Sequence, residues 1–330
     1  MEHTSKRRKV LIALGAGLFM PSALVLAQAA RMLTVVILFA GDSEDDEASA
    51  RPFFAEMERL GWTEGKNVTY ERLSGKGTLQ YLESLASTAA SREADLIFAT
   101  TTSLALAIAK AAENTPVVFA TASDPIAAGL VNSLERPGRN STGVYQVAGD
   151  AVQKRYKKFK AALPALKKMG VMFDRNAPDY QSRQGAHQAA ARAAGIELEA
   201  TEFSNFEAVA KLLAQYRRRN IFIVGTSASF SMLGRRKEVC TLAARNGIAM
   251  LAHRVEWVEA GAVVSYGADV GEGLRRVARL SDRILKGGKA AEIPVDRFSK
   301  FELAINSRAA RELGLHIPQS VVKRADRVIT

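Results

Sequence analysis

Cysteine is nearly absent from this sequence, since Cys240 is the single cysteine among 330 residues. One thiol cannot form an intramolecular disulfide, nor can it supply the several thiolates of a zinc or iron–sulfur site. Histidine is also scarce, and His187, His253 and His316 lack the spacing of metal ligands. We therefore expect a protein that needs no metal and no other cofactor.

Aromatic residues make up only 7% of the chain, and they are not interleaved with basic residues as they are on many nucleic-acid-binding surfaces. The formal charge is nevertheless +12. Basic residues cluster in segments such as 154–158, 217–219 and 235–237. Such clusters form either solvated helix faces or a contact surface for an anionic membrane or partner. We do not expect nucleic-acid binding.

A long apolar stretch lies at the N-terminus. It follows the basic run Lys6-Arg7-Arg8-Lys9, covers residues 10–26 and leads into Ala27-Gln28-Ala29. This pattern predicts a signal peptide, residues 1–29, which is cleaved near Ala29 after general or twin-arginine export. An uncleaved membrane anchor is the alternative, at the short limit for a span. Because no cysteine follows the stretch, we expect a protein that is free in the periplasm.

The rest of the chain alternates apolar runs with amphipathic segments and is long enough for two domains of roughly 150 residues each. Such alternation predicts parallel sheets with right-handed crossovers. The predicted strands are residues 33–40, 67–73, 95–100, 116–120, 143–147, 168–173, 196–200, 220–224, 248–251, 262–266 and 302–306. The predicted helices are residues 48–60, 81–92, 104–113, 152–163, 181–194, 206–216, 233–245, 271–286 and 307–313.

A late strand follows the last long helix, so the chain must pass more than once between two sheets. Three passages, near residues 148, 268 and 297, are the simplest solution. We therefore predict an α/β fold with two doubly wound parallel-sheet lobes joined by three crossovers. One lobe comprises residues 30–148 and 269–296, and the other comprises residues 149–268 and 297–330.

Hydroxyl-bearing residues follow two predicted strands of the first lobe, where a doubly wound sheet binds its ligand. Thr101, Thr102 and Ser103 precede a helix, so their hydroxyls and the first helical N–H groups form a candidate carboxylate site. A plain helix cap by Thr102 or Ser103 is the alternative. Thr121 and Ser123 follow the next strand and are expected to face the same cleft.

Acidic residues near the same strand ends are candidate partners for an ammonium group. Asp124 is one of them, although an aspartate before a proline also begins ordinary turns. Asp42 and Ser43 follow the first strand and are further candidates for ligand contact. The acidic run 44–47 behind them either forms a rim that favours a cationic or zwitterionic ligand or is the solvated first turn of a helix.

The second lobe offers further candidates at its strand ends and at a crossover. These candidate ligand contacts are Asp174, Asn176, Thr226, Tyr266 and Asp269. Tyr266 and Trp257 would either stack on a planar ligand or belong to the core. The segment 225–229 approaches a nucleophile elbow but lacks its closing glycine, so we do not expect an enzyme.

Short motifs stand in a recognisable order along nearly the whole mature chain. In the first half they are residues 61–68, 94–100, 116–125, 129–131, 136–138 and 142–143. In the second half they are residues 260–261, 265–269, 283–287, 293–295, 300–303, 306, 313–315, 317–318 and 324–326. The chain thereby resembles the ABC-transporter substrate-binding family that includes tryptophan- and tyrosine-binding proteins. The resemblance implies a periplasmic binding fold that closes on a small ligand by hinge motion, with an ABC permease of the inner membrane as partner.

We therefore expect a monomeric exported protein that captures a small, polar, carboxylate-bearing metabolite, with amino acids, aromatic ones included, as the leading class. A ligand-sensing module for a membrane receptor or kinase would share this fold and remains the alternative. A hydrolase is a second alternative and is less favoured.

Overall fold

The computed structural model of the protein describes residues 31–41, 43–121, 123–146, 150–177 and 179–330. The predicted signal peptide and Asp42 lie outside the described residues. Within the described part, no helix has both the length and the apolar character needed to cross a membrane.

Strands and helices alternate along most of the described chain. The strands are β1 (Leu33–Phe39), β2 (Val68–Ser74), β3 (Leu96–Ala99), β4 (Val117–Thr121), β5 (Ser141–Gln146), β6 (Lys168–Asp174), β7 (Glu197–Phe203), β8 (Ile223–Thr226), β9 (Ala249–Ala252), β10 (Val264–Ala268), β11 (Asp296–Phe298), β12 (Phe301–Asn306) and β13 (Arg327–Ile329). The helices are α1 (Ser43–Arg59), α2 (Leu82–Ala90), α3 (Thr102–Ala111), α4 (Ala151–Ala162), α5 (Tyr180–Ala193), α6 (Glu207–Arg218), α7 (Phe230–Gly234), α8 (Arg236–Arg245), α9 (Val255–Glu259), α10 (Val270–Leu285), α11 (Ser307–Glu312) and α12 (Gln319–Val322).

The strands form two sheets, and the first five strands of each sheet follow the same spatial order. The first sheet has the order β2-β1-β3-β4-β5-β11, and its paired strands are parallel. The second has the order β7-β6-β8-β9-β10-β12-β13, in which β12 runs antiparallel to β10. Both sheets thus begin with the 2-1-3-4-5 order of a doubly wound fold.

The chain passes between the sheets three times. It leaves the first sheet after β5, returns to it at β11 after β10, and crosses back to the second sheet at β12. Helix α10 lies between two of these passages and packs against α1 in the core of the first lobe. The predicted fold of two doubly wound lobes joined by three crossovers is confirmed.

Strand β1 is apolar at successive positions because helices cover both of its faces. Val35, Ile37 and Phe39 belong to a core cluster with α1 and α10, whereas Val36 and Leu38 belong to one with α2 and α3. Successive side chains point to opposite faces of a strand, so a strand covered by helices on both faces is apolar at every position. Full burial of each such side chain contributes about 1.5–3 kcal/mol.

The elements that periodicity did not predict are short. Helices α7, α9 and α12 and strands β11 and β13 each have three to five residues, too few for a hydrophobic period to repeat. Strand β8 also runs to Thr226, two residues beyond its predicted end.

Candidate ligand-binding site

A cavity of about 170 Å³ lies between the two sheets. On the first sheet it is lined by residues that follow β1, β3 and β4, and on the second by residues that follow β6, β8 and β9. These are the carboxyl ends of the strands. The strand order reverses between β1 and β3 and between β6 and β8, and doubly wound folds bind their ligands at this reversal.

The N-terminus of α3 forms part of the first wall. The hydroxyl of Thr101 accepts a hydrogen bond from the N–H of Leu104 at 3.3 Å and so caps the helix. The N–H groups of Thr102 and Ser103 occupy the first helical positions, which have no acceptor within an α-helix. All three hydroxyl residues line the cavity. The helix dipole and these N–H groups make this wall suitable for a carboxylate.

Hydroxyl groups connect this helix to the end of β4. The Oγ1 atoms of Thr102 and Thr121 lie 2.6 Å apart. Thr121 Oγ1 also donates to the carbonyl of Ser123 at 3.0 Å and accepts from the N–H of Ser123 at 3.0 Å. These bonds fix Ser123 at the edge of the cavity.

Ser123 joins the two lobes. Its hydroxyl donates to Asp179 Oδ2 at 3.1 Å and accepts from Arg183 Nη2 at 3.1 Å. Asp179 immediately precedes α5 and Arg183 lies in its first turn, where the two form an ion pair of 2.5 Å. One hydroxyl of the first lobe is therefore held by a charged pair of the second lobe.

A second charged contact between the lobes lies elsewhere on the cavity wall. Asp46 of α1 and Arg236 of α8 form an ion pair of 2.6 Å, and their side chains are only 13% and 6% exposed. Burial raises the pKa of Asp46, while Arg236 and the N–H of Gly41 act against this rise. The pair thus neutralises two charges that are largely removed from water.

Arg254 and Glu256 form a third charged pair at the cavity, with Arg254 Nε 3.1 Å from Glu256 Oε1. Burial opposes ionisation of the carboxyl, but the charge and hydrogen bonds of Arg254 keep the pKa of Glu256 below its ordinary value. Among the described residues, the charged side chains of the lining are three carboxylates and three guanidinium groups: Asp46, Asp179, Glu256, Arg183, Arg236 and Arg254. Their formal charges cancel.

His253 adds no charge to this wall. Its Nδ1 lies 3.1 Å from the hydroxyl of Thr226. Burial lowers the pKa of His253 well below its ordinary value, and the positive charges of Arg155, Arg254 and Arg183 lower it further. The ring is therefore neutral at physiological pH.

Apolar side chains complete the cavity. Phe39, Val144, Leu274 and Phe298 come from the core of the first lobe and line it, and Phe230 joins them from α7. The lining thus combines charged and hydroxyl groups with an apolar surface, as in many small-molecule sites.

The structure places the predicted residues of the first lobe in two groups. Those that line the cavity are Thr101, Thr102, Ser103, Thr121 and Ser123. Asp124 is exposed, and its Oδ1 accepts from the N–H groups of Ile126 at 2.8 Å and Ala127 at 3.3 Å, as in an ordinary turn. Ser43 begins α1, but its side chain, like all of Asp42, lies outside the described residues.

The predicted residues Asp174 and Asn176 bond to neighbouring segments. Asp174 is buried, and its Oδ2 accepts from the hydroxyls of Ser229 at 2.5 Å and Ser231 at 3.3 Å. It thereby fixes the start of α7, which lies at the cavity. Asn176 is exposed and donates through Nδ2 to the carbonyl of Ser204 at 2.7 Å.

The other predicted residues of the second lobe also contact protein groups. Thr226 is bonded to His253 as described above. The ring of Tyr266 stacks on Phe301 at 5.7 Å, and Asp269 caps α10 through the N–H of Glu272 at 2.9 Å. Trp257 is fully buried in the core. Contact of the second-lobe candidates with a ligand stays a prediction.

Sequence reasoning missed several cavity residues. They are Asp46, Ser49, Gln146, Asp179, Arg183, Ser229, Phe230, Arg236, His253, Arg254 and Glu256. Asp46 belongs to the acidic run that was considered as a rim. Arg236 was expected on a solvated helix face or a contact surface, and this was wrong, because its side chain is buried against Asp46. Arg155 of the cluster 154–158 is likewise buried and donates to the Tyr266 carbonyl.

The arrangement is suited to holding a small polar molecule. Its groups can donate and accept hydrogen bonds and can bind a carboxylate and a cation at separate places. Among the described residues, no group of three or more His, Cys, Asp or Glu side chains is placed to hold a metal ion.

The sequence and the fold are both similar to those of known proteins. Residues 34–329 match the sequence profile of a family described as ABC transporter substrate binding protein. The tyrosine-binding protein of Clostridioides difficile (strain R20291) is 23% identical over 269 residues, which are 82% of this chain and 77% of that protein.

Two solved structures illustrate the shared fold. An ABC domain from Streptococcus pneumonia in complex with L-Trp is 22% identical, with a TM-score of 0.79 over 91% of this chain and 100% of that chain. The ligand-free, open structure of a substrate binding protein with adhesive properties from Clostridium difficile is 23% identical. Its TM-score is 0.61 over 91% of this chain and 100% of that chain.

Proposed function

Since the chain belongs to the family of ABC transporter substrate-binding proteins, we propose that it captures an α-amino acid with an apolar or aromatic side chain in the periplasm. It presents this ligand to an ABC permease of the inner membrane. The two lobes close on the ligand by hinge motion at the three crossovers, and the ligand leaves chemically unchanged. The observation that carries the proposal is the balanced charge of the cavity between the sheets.

Charge balance selects for a ligand without net charge. Within the part of the chain that the structure describes, each of the three carboxylates at the cavity is matched by a guanidinium group. A ligand with a net charge would leave one charge uncompensated beside the largely buried side chains of Asp46, Arg236 and Glu256, and this costs several kcal/mol. A zwitterion brings one charge of each sign and keeps the balance.

The carboxylate of the ligand fits the wall formed by α3. The N–H groups of Thr102 and Ser103 and the positive end of the helix dipole are preorganised donors there. The ammonium group fits the carboxylates of Asp46 and Glu256. An ionised carboxylate has about four acceptor positions, and its arginine partner leaves some of them available.

The side chain of the ligand fits the apolar lining formed by Phe39, Leu274 and Phe298. The cavity volume of about 170 Å³ is smaller than the ~300–1,000 Å³ of sites for drug-sized molecules. This size favours a free amino acid over a peptide or an oligosaccharide. The named ligands of two similar proteins, tyrosine and L-Trp, agree with this class.

Thermal unfolding and calorimetry with matched compounds test the proposal. L-tyrosine, L-tryptophan, L-phenylalanine and L-leucine are compared with tyramine, which lacks the carboxylate, and with 3-(4-hydroxyphenyl)propionate, which lacks the ammonium group. At a concentration of 100 times the dissociation constant, a ligand stabilises the native state by about 2.7 kcal/mol. We expect at least one of the amino acids to reach this value and neither incomplete analogue to do so. Binding of a sugar or nucleoside instead would overturn the proposed ligand class.

Transport is tested in the cell. We expect deletion of the gene to abolish uptake of the radiolabelled amino acid that binds and the restored gene to recover it. Unchanged uptake combined with an altered transcriptional response to the amino acid would instead indicate a sensing role. N-terminal sequencing of the periplasmic protein should give a start near Ala30, and a start at Met1 would contradict the cleaved signal peptide.

A further inference from the structure

A buried chain of hydrogen bonds joins the two lobes beside the cavity. Arg236 Nη1 lies 2.6 Å from Asp46 Oδ1 and also donates to the carbonyl of Leu233 at 3.1 Å. The other carboxylate oxygen of Asp46 accepts from the N–H of Gly41 at 2.8 Å. The bonds therefore run without a break from the backbone after β1, in the first lobe, to the backbone of α7 in the second.

Backbone atoms of the two lobes touch directly beside this chain. A Cβ atom at Gly234, the last residue of α7, would lie 2.5 Å from Cα of Gly77 and 2.6 Å from the carbonyl oxygen of Ala40. A Cβ atom at Gly41 would lie 2.4 Å from the carbonyl oxygen of Gly234. Backbone atoms cannot move aside as the end of a flexible side chain can, so this approach requires glycine on both sides.

Phe230, at the start of α7, adds an apolar contact. Its ring is 5% exposed and packs in a core cluster made otherwise of first-lobe residues. A Cβ atom at Gly75, after β2, would lie 2.6 Å from Cζ of this ring. Helix α7 is thus covalently part of the second lobe but packs tightly against the first.

We propose that Gly41, Gly77 and Gly234, together with the ion pair of Asp46 and Arg236, form a closure latch. The latch holds the lobes together, favours the closed form even without ligand and thereby sets the affinity for the ligand. The inference rests on the proposed function, because a latch affects binding only if the lobes close on the ligand. Gly234 acts indirectly, because it allows the backbones of the two lobes to approach each other.

Closure and affinity are linked quantitatively. The apparent dissociation constant rises in inverse proportion to the fraction of protein in the binding-competent form. An alanine at position 234 obstructs the closed form, in which Gly77 and Ala40 are close, but not an open form in which they are separated. Alanine also favours a helix more than glycine does. Gly234→Ala should therefore lower affinity without lowering the stability of the lobe.

Gly185→Ala is the matched control. Gly185 also lies in a helix of the second lobe, α5, but a Cβ built there has no atom within 4 Å apart from its chain neighbours and the nearby backbone of its own helix. The affinity for the amino acid that binds the wild type is measured by calorimetry, and the radius of gyration of the ligand-free protein is measured by small-angle X-ray scattering. For Gly234→Ala we expect an affinity loss of at least about tenfold and a larger radius of gyration. Gly185→Ala should match the wild type in ligand affinity and in radius of gyration.

An unchanged radius of gyration in Gly234→Ala, or an unchanged affinity where the wild type binds, overturns the latch. If none of the four amino acids named above binds the wild type, the proposed ligand class fails, while the radius of gyration still decides about the latch. Thermal unfolding shows whether each variant folds. Should Gly234→Ala not fold, Gly41→Ala introduces the same obstruction from the first lobe, and the same comparison applies.

Discussion

The hydroxyl of Thr102 lies 2.6 Å from that of Thr121, and the direction of this hydrogen bond follows from the neighbouring bonds. Thr121 has one hydroxyl hydrogen and is placed to donate it to the carbonyl of Ser123. The three bonds at Thr121 are satisfied together only if Thr102 is the donor. Thr102 then offers the cavity oxygen lone pairs from its side chain and a donor from its backbone N–H.

Replacement of Thr102 tests this arrangement. Thr102→Val keeps the shape of the side chain but removes the hydroxyl, so Thr121 loses its donor and the hydrogen bond that ties the start of α3 to the end of β4 is broken. We expect an affinity loss of about tenfold, equivalent to one hydrogen bond of ~1.4 kcal/mol. Thr102→Ser should retain most of the affinity. Calorimetry with the amino acid that binds the wild type measures the affinities of both variants. Equal affinities of Thr102→Val and Thr102→Ser would argue against a role for the hydroxyl.

Ser123 is the first-lobe partner of the Asp179 and Arg183 pair, so its hydroxyl should stabilise the closed form. Ser123→Ala removes the two hydrogen bonds that this hydroxyl makes to the second lobe but leaves the ion pair of 2.5 Å between Asp179 and Arg183 intact. We expect a five- to tenfold loss of ligand affinity, about 1–1.4 kcal/mol, with little change in thermal stability.

Asp124→Ala is the control for this variant. Asp124 is adjacent in sequence but exposed, and its carboxylate caps a turn. The ligand affinity of Asp124→Ala should stay within about twofold of the wild type, because an exposed turn residue contributes little to binding or stability. A large loss of ligand affinity in Asp124→Ala would support Asp124 as the partner of the ammonium group.

The fold could be predicted from the sequence because the alternation of strands and helices is strong and covers long segments. The helix predicted at 104–113 is α3, Thr102–Ala111, and the strand predicted at 33–40 is β1, Leu33–Phe39. Helix α7 was missed because its five residues leave no room for a helical period. This helix nevertheless provides Phe230 and Gly234 at the contact between the lobes.

The candidate site could be predicted only where residues directly follow a strand. Thr101, Thr102 and Ser123 meet this condition and line the cavity. Asp46 and Arg236 lie inside helices, and their interaction spans 190 positions of the sequence. No local pattern indicates such a pair, because it depends on how the two lobes meet. The same holds for Arg183, which reaches Ser123 across 60 positions.

Gly267 positions the strand end that carries His253. A Cβ atom at Gly267, in β10, would lie 1.6 Å from the carbonyl oxygen of His253. Gly267→Ala must displace this backbone, and we expect a destabilisation of at least about 3 kcal/mol, at the upper end for overpacking. In contrast, Gly185→Ala should be neutral or stabilising by about 0.5–1 kcal/mol. Urea unfolding compares the two, and equal midpoints would contradict the close approach.

Glu56 ties α1 to α10 in the first lobe. Its Oε1 lies 2.8 Å from Arg59 Nη2 and 2.9 Å from Arg279 Nε. The hydrogen bond from Arg59 is the largest effect on this carboxyl, and with Arg279 it outweighs burial and lowers the pKa of Glu56 from 4.5 to about 2. Because both arginines are partly exposed, we expect Glu56→Gln to cost only about 1–2 kcal/mol at pH 7.

The pH dependence of this cost has a defined sign. A carboxyl whose pKa is lower in the folded state stabilises the fold above its unfolded pKa and loses this contribution as the pH falls through the folded value. The difference between wild type and Glu56→Gln should therefore be full above pH 4.5 and shrink as the pH falls towards about 2. Urea unfolding across this range measures it. Glu58→Gln, on the exposed face of α1, is the control, and at pH 7 it should leave the free energy of unfolding within about 0.5 kcal/mol of the wild type.

His187 is a buried neutral histidine in the core of the second lobe. Its Nδ1 lies 3.0 Å from the hydroxyl of Tyr156, and its ring packs edge-on against Phe173 at a centroid distance of 5.4 Å. Burial lowers the pKa of His187 to about 3, and the nearby charges of Arg155 and Arg183 act in the same direction. The ring resonances of His187 should therefore not titrate between pH 8 and about pH 5 in NMR spectra.

The same shift makes the fold sensitive to acid. Between pH 6.5 and about 3 the unfolded chain binds a proton at His187 that the folded protein excludes. The free energy of unfolding should thus fall by up to about 1.4 kcal/mol for each pH unit below 6.5 through this group alone. His187→Gln can still form a hydrogen bond with Tyr156 but has no proton to gain, so the stability of this variant should decline less steeply. Urea unfolding of both proteins at pH 7, 6 and 5 measures the slopes, and parallel slopes would show that His187 is protonated in the folded protein as readily as in the unfolded chain.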